Sequence, residues 1–590
     1  MRLKTPLIAI TAVTMMALAA CGGSDGDGNN NNSDKPSEGV GSGGDTGNGQ
    51  DPEAEGPVTI DGATEGGIVN VQTNTGLTTT IDPAEAYYVD TSSILSGLIT
   101  RSLTQYKYDP ESKQMILVPD LATDLGTPND DYTEWKFTIR DGVKWEDGTP
   151  VTADEVLFGI KRSFDRTAFP TGAAYSNDYF LDGDKYKGPY TDPKGDWTGG
   201  TVDGSTITLK MAKPFPDMPY WGAFPAMGAV KEGADSEPTK YATKPLANGP
   251  YKIKSYTVAK SLVLERNDQW DPATDPARTQ YPDGYNFTAQ VESSKIDQVL
   301  LGDSGDGQTT LTYDNLLAPD YNKLSSDDPD RLVTGGQPCT FYTAPDYRKV
   351  TDIKVRQAYA WAYPYKEAIL AAGDIPNVTV IPASNLMPPG LPGRTEYNVL
   401  EHGDFETDPA KSKELLKEAG AEGYEIKFLF AADDPVGVKT KDALVKGLEA
   451  GGFKATPVAS SLAESANDRA NPDKDINVRS GGWCSDWPSG ASWIPPVLAS
   501  TNVEESKSIG SNYAVFDEPT VDKAIDDIQL LPIEDQPAAW NDLDKKIAED
   551  YFPVVARWYG GVAMAHGSKI QGHENDSVFG MPTWKDIYVG

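Results

Sequence analysis

Trp135-Lys136-Phe137-Thr138-Ile139-Arg140-Asp141-Gly142-Val143-Lys144-Trp145, continuing through Asp147-Gly148-Thr149-Pro150-Val151-Thr152-Ala153-Asp154-Glu155-Val156, holds a strand, two turns and a helix start in one run. Trp135, Phe137 and Ile139 alternate with polar neighbours, the period of a half-buried strand. Asp141-Gly142 and Asp147-Gly148 suit tight turns, since glycine enters left-handed backbone conformations without steric cost. Thr152 reads as an N-cap with Glu155 as its capping-box partner, so a helix is expected through Phe164.

The same alternation of periods continues outward. Strands are expected at 68–71, 206–210, 262–266, 425–430 and 553–556. Helices are expected at 87–98, 355–370, 409–419, 439–450, 521–530 and 538–551, with Asp408 as a cap and Gly420 as a stop. Strands and helices interleave throughout, so the class is α/β. No internal repeat is present.

The chain has 590 residues, 38% of them hydrophobic, with 12 Trp and 28 Tyr, which is the profile of a folded protein with room for more than one lobe. A net charge of −36, with no basic block to offset it, argues against a nucleic-acid partner. Such acidity reads as a solvated exterior.

The N-terminus has the marks of an export signal. Arg2 and Lys4 precede a mainly apolar run from Pro6 to Leu18, followed by Leu18-Ala19-Ala20-Cys21. This resembles a bacterial lipobox, in which the Cys is lipidated and becomes the first residue of the mature chain. Residues 1–20 are then the signal peptide, and Cys21 tethers the chain to the outer face of the bacterial cell membrane. A short membrane anchor is the alternative, but the apolar run is too short to span well. No later stretch reaches the roughly 20 apolar residues that crossing a bilayer needs, so other subunits would form any pore. Residues 21–63, rich in Gly, Asn, Ser and Asp, read as a disordered linker. Asp25-Gly26-Asp27-Gly28 hints at calcium, but Pro36 stands where the closing Glu of an EF-hand loop belongs, and no metal is expected.

Of three cysteines, Cys21 is assigned to lipid, which leaves Cys339 and Cys484. Outside the cytoplasm two such thiols pair into a disulfide; two separate buried thiols are the alternative.

Six blocks in order resemble one family, the extracytoplasmic solute-binding proteins of peptide-type ABC importers (family 5, the oligopeptide- and dipeptide-binding proteins). The first is Leu117-Val118-Pro119-Asp120-Leu121-Ala122 with the run quoted above. Asn248-Gly249-Pro250-Tyr251 follows, with Leu264-Glu265-Arg266-Asn267 and Trp270. Then come Val355-Arg356-Gln357-Ala358, Asp408-Pro409-Ala410-Lys411 through Gly420, and Gly482-Trp483-Cys484-Ser485-Asp486-Trp487-Pro488. Ser511-Asn512-Tyr513 with Val521-Asp522 closes the series.

The resemblance implies a two-lobed, periplasmic-binding-protein-like fold (type II, cluster C) with a hinge and an extra subdomain in lobe one. Lobe one maps to 64–108, 246–338 and 533–590, the extra subdomain to 109–245, and lobe two to 339–532. Some members carry a disulfide at places corresponding to Cys339 and Cys484. The resemblance further implies capture of a small solute, oligopeptides or dipeptides first, and delivery to ABC permease subunits with their ATPases. No cofactor is implied, and a monomer is expected. Other members of such a family take nickel complexes, haem, sugars or opines. Most of the blocks are expected to be structural, with Trp135 and Trp145 in the core.

In peptide-binding members the Asp matching Asp486 takes the α-ammonium, a charge-assisted contact suited to a water-poor cleft; capping the turn before Pro488 is the alternative role. Trp483 is a candidate apolar wall or a core residue. Arg479 is a candidate ligand group, although Gly481-Gly482 lengthens the spacing by one residue, which in a strand changes the face. Tyr87 and Tyr88 fall where the first lobe of relatives faces the cleft. Phe341-Tyr342-Thr343-Ala344-Pro345 lacks the Asn that many members carry there.

An enzyme reading finds little support. Gly302-Asp303-Ser304-Gly305 resembles a protease nucleophile string, but Asp306 stands where a Gly belongs and His402, His566 and His573 all follow the Ser. There is no His-Glu-x-x-His, no Cys–His cluster and no phosphate loop. A purely structural surface lipoprotein would explain the anchor but not the six blocks.

Overall fold

The computed structural model describes residues 49–77, 80–234, 238–503 and 508–590. The signal peptide, Cys21, the Asp25–Gly28 stretch and most of the expected linker lie outside the described residues.

The quoted run forms as its chemistry dictates. Glu134–Thr138 is a strand, Gly142 and Gly148 adopt φ of 87° and 84°, and Ala153–Arg162 is a helix. Thr152 Oγ1 accepts the Glu155 N–H at 3.3 Å, and Glu155 Oε2 accepts the Thr152 N–H at 3.0 Å. The same Glu155 oxygen accepts from Trp145 Nε1 at 3.0 Å, tying the turn to the helix. The strand belongs to a sheet in the order Thr127–Pro128, Glu134–Thr138, Thr206–Lys210, Gly200–Asp203. Val156 and Ile160 of the helix join Trp135, Trp145, Phe137 and Trp221 in one core, that of the extra subdomain.

The main sheet runs Lys454–Ser460, Glu425–Ala431, Val478–Cys484, Leu332–Pro345, Val555–His566, Thr310–Thr312, Ile68–Gln72, Gly284–Thr288, Ser261–Arg266, Tyr251–Thr257, with Val380–Pro382 added on Val555–His566. One end builds the first lobe, whose core joins Val69, Val71, Phe287 and Leu311 to Trp584. The other end builds the second lobe, with cores around Trp493 and Trp540 and around Tyr359 and Phe428.

Two long strands pass from lobe to lobe side by side. Leu332–Gly336 pairs antiparallel with Gly561–Ala565; the register then shifts, and Thr340–Thr343 pairs with Val555–Tyr559. Pro338 falls in the interruption, where a residue without an N–H costs the ladder nothing. Gly561 is required by close approach: a Cβ there would lie 2.0 Å from the Val378 carbonyl oxygen.

Three expectations need correction. Residues 533–558, expected in lobe one, lie in lobe two: Trp540, Leu543 and Ile547 pack with Trp493 in a second-lobe core, and Val555 and Trp558 pack with Tyr359 in the other. The chain returns to the first lobe only near Gly560. Residues 49–62, expected as linker, begin docked on the extra subdomain: Leu117 donates its N–H to Gly49 O and accepts from the Asp51 N–H, both at 2.9 Å. The Gln114–Pro119 strand pairs within its sheet only with Thr104–Asp109, so its other edge has backbone groups to offer. The helix expected at 355–370 is two, Ile353–Ala362 and Tyr365–Ala372, because Pro364 interrupts it.

Among the described residues no helix is long and apolar enough to cross a membrane, and no group of three or more His, Cys, Asp or Glu could hold a metal ion.

Candidate functional site

The Val478–Cys484 strand brings the loop that follows it to the level of the hinge. Cys339 and Cys484 face each other in register and are joined by a disulfide. The next residue, Ser485, donates its N–H to Pro338 O at 2.8 Å. The loop base is thus fastened twice to the crossing strand. Gly481 and Gly482 make this fit possible, since a Cβ would lie 2.5 Å from the Tyr513 ring and 2.6 Å from the Phe341 ring respectively.

Asp486 leaves this base and meets two phenols. Tyr87 of the first lobe donates to Oδ1 at 2.8 Å. Tyr175, on the short helix Tyr175–Tyr179 of the extra subdomain, donates to Oδ2. Burial pushes the Asp486 carboxyl up to about 6, against the pull of the Tyr175 and Tyr87 hydroxyls. Both phenols are held well above their ordinary range, by burial first and then by the Asp486 charge, so each is a donor at neutral pH. A carboxylate offers about four acceptor positions, so two remain for a further donor such as an ammonium.

Trp487 enters the core of the extra subdomain. Its indole is buried against Tyr175, with centroids 4.7 Å apart, and its Nε1 donates to Asp217 Oδ2 at 2.7 Å. Second lobe, first lobe and extra subdomain therefore converge on two consecutive residues.

The other candidates fall elsewhere. Arg479 is turned into the second lobe: its guanidinium, 1% exposed, reaches Asp346 Oδ2 at 2.9 Å and Arg469 O at 3.0 Å. Arg479, a candidate ligand group from the sequence, is thus engaged in an internal ion pair of the second lobe. Trp483 is half-buried on the second-lobe core and donates to Ser492 O at 2.8 Å. Tyr88 precedes the helix Val89–Ile94, its phenol raised by partial burial and then by Asp90. Tyr87 joins Asp486 across 399 positions of sequence. Tyr175 and Asp217 were not found from the sequence, because each sits in a segment without periodicity.

The family described as bacterial extracellular solute-binding proteins, family 5 Middle, matches residues 117–505. The chain belongs to this family. The periplasmic oligopeptide-binding protein OppA of Salmonella typhimurium is 26% identical over 474 residues, covering 73% of this chain and 80% of OppA. The periplasmic murein peptide-binding protein MppA of Escherichia coli is 28% identical over 352 residues, covering 58% and 60%. The solved structure of clavulanic acid biosynthesis oligopeptide binding protein 2 superposes with a TM-score of 0.80 at 21% identity, covering 92% of this chain and 99% of that one. The two-lobed α/β architecture of this family-5 protein is thus the one its relatives share.

Proposed function

We propose that this family-5 protein captures peptides with a free amino end and delivers them to an ABC permease in the membrane. The observation that carries the reading is Asp486, an acceptor-only group where the lobes meet, at the position whose counterpart in peptide-binding members takes the α-ammonium. The printed names of OppA and MppA as peptide-binding proteins support the same ligand class. Lobe closure around the ligand makes contacts that the open form lacks, so binding shifts the open–closed equilibrium.

In this reading Cys21 carries the lipid that moors a monomeric receptor outside the cell, and no peptide is cleaved. Calorimetry with di- to pentapeptides, each free and N-acetylated, tests the ligand class. Binding of the free forms without products in mass spectrometry is expected. Equal affinity for the acetylated forms, or turnover abolished by Ser304→Ala, would overturn it. For the anchor, metabolic labelling with radioactive palmitate should mark the wild type and not Cys21→Ser.

A further inference from the structure

The residue after the ammonium anchor is held as firmly as the anchor itself. Ser492 Oγ donates to Trp487 O at 2.7 Å, which fixes the backbone so that the indole projects out of the second lobe. Asp486 and Trp487 lie in the bend that follows the strand, and both meet Tyr175, the carboxylate at its hydroxyl and the indole at its ring. The indole enters the core of the extra subdomain, 6.1 Å from the Phe215 ring and 6.2 Å from the Phe224 ring between centroids, and is 1% exposed. At the end of this slot stands Asp217, 7% exposed, whose carboxylate accepts the indole N–H.

Asp217 does nothing local that would explain a buried carboxylate. It precedes the short helix Met218–Trp221, but its side chain makes no capping hydrogen bond there. Burial raises its pKa, and the side chains of Trp487 and Ser489, both from the second-lobe loop, pull it back. The groups that offset its desolvation thus arrive from the other lobe.

We propose that Asp217 is a positioning residue for ligand capture: through Trp487 it docks the Asp486 loop on the extra subdomain without touching the ligand. The inference rests on the peptide reading above. When the lobes part, carboxylate and indole both return to water. When they close, a charge-assisted hydrogen bond and an aromatic seat form together. A contact present in one state adds its full weight to the closed population. It also fixes the backbone next to Asp486, so the carboxylate meets its ligand already oriented.

The test measures association and dissociation of a free-amino tripeptide for wild type, Asp217→Leu, Asp217→Asn and Trp487→Phe. A fluorine signal from 5-fluorotryptophan at position 487, assigned by its absence in Trp487→Phe, reports docking. Asp217→Leu should speed dissociation roughly tenfold or more, leave association nearly unchanged, and move the fluorine signal toward its solvent value. Asp217→Asn keeps an acceptor oxygen and should recover most of the residence time. Trp487→Phe should behave as Asp217→Leu does. Wild-type dissociation in Asp217→Leu, or no recovery in Asp217→Asn, overturns the role while leaving the peptide reading intact. A wild-type protein that binds no peptide overturns that reading and this role with it.

Discussion

Arg479 Nη1 lies 2.9 Å from Asp346 Oδ2, with both side chains fully shielded from water. Burial pushes the Asp346 carboxyl up, but Arg348 and Arg479 outweigh it and hold the group below its usual range. A depressed carboxyl stabilises the fold above its unfolded pKa, near 3.9, and loses that contribution as pH falls through the lower folded value. Arg479→Met should lower stability by about 1.5–3 kcal/mol at neutral pH in denaturant titration, because it removes one of the two guanidiniums on a buried carboxylate and leaves Arg348 on it. Peptide affinity of the folded fraction should stay within about twofold by calorimetry.

Asp486→Asn keeps the shape of the site and removes its charge. Free-amino peptides should lose about 1.5–3 kcal/mol, roughly 10- to 150-fold in affinity. N-acetylated peptides should change little. Calorimetry on matched peptide pairs reads the difference directly.

In the proposed reading, the raised carboxyl of Asp486 makes capture pH-dependent. Its pKa in the arrangement described is about 6, above the ordinary value, so protonation favours burial of the neutral acid between about pH 4 and 6. Above that window the charged form is buried at a cost, which an ammonium offsets. Free-amino peptides should therefore bind roughly tenfold more weakly at pH 5 than at pH 7.5. Asp486→Asn should flatten that profile, and titration of affinity against pH checks both.

The disulfide closes a separation of 145 residues. Replacing Cys339 and Cys484 together by Ser should lower unfolding stability by about 2–5 kcal/mol. Thermal and denaturant melts of the oxidised wild type and the double variant measure the loss.

Local chemistry made some elements legible. Thr152 and Glu155 announce a helix start because both halves of a capping box are short-range hydrogen bonds. Asp408 and Gly420 frame their helix for similar reasons, a side-chain cap before Pro409 and a left-handed glycine after it. The first half of the Leu332–Pro345 strand was not legible, since Gly335-Gly336-Gln337-Pro338 has the composition of a loop and pairing with Val555–His566 is what holds it extended. The same limit applied at the site. Asp486 and Tyr87 stood in recognisable segments, but the Tyr175 and Asp217 contacts depend on how separate cores meet, which no local pattern encodes.

The interruption between Gly336 and Thr340 contains Cys339, one end of a covalent staple. Any bend of the crossing strands there is handed through Cys339 to Cys484, and from Cys484 to the Asp486 carboxylate two residues on. Joint and carboxylate are thus built as parts of one crank, with Tyr87 and Tyr175 at the far end of its arm. In the proposed reading, a solute that grips the anion would hold the throw of that crank at one end of its travel.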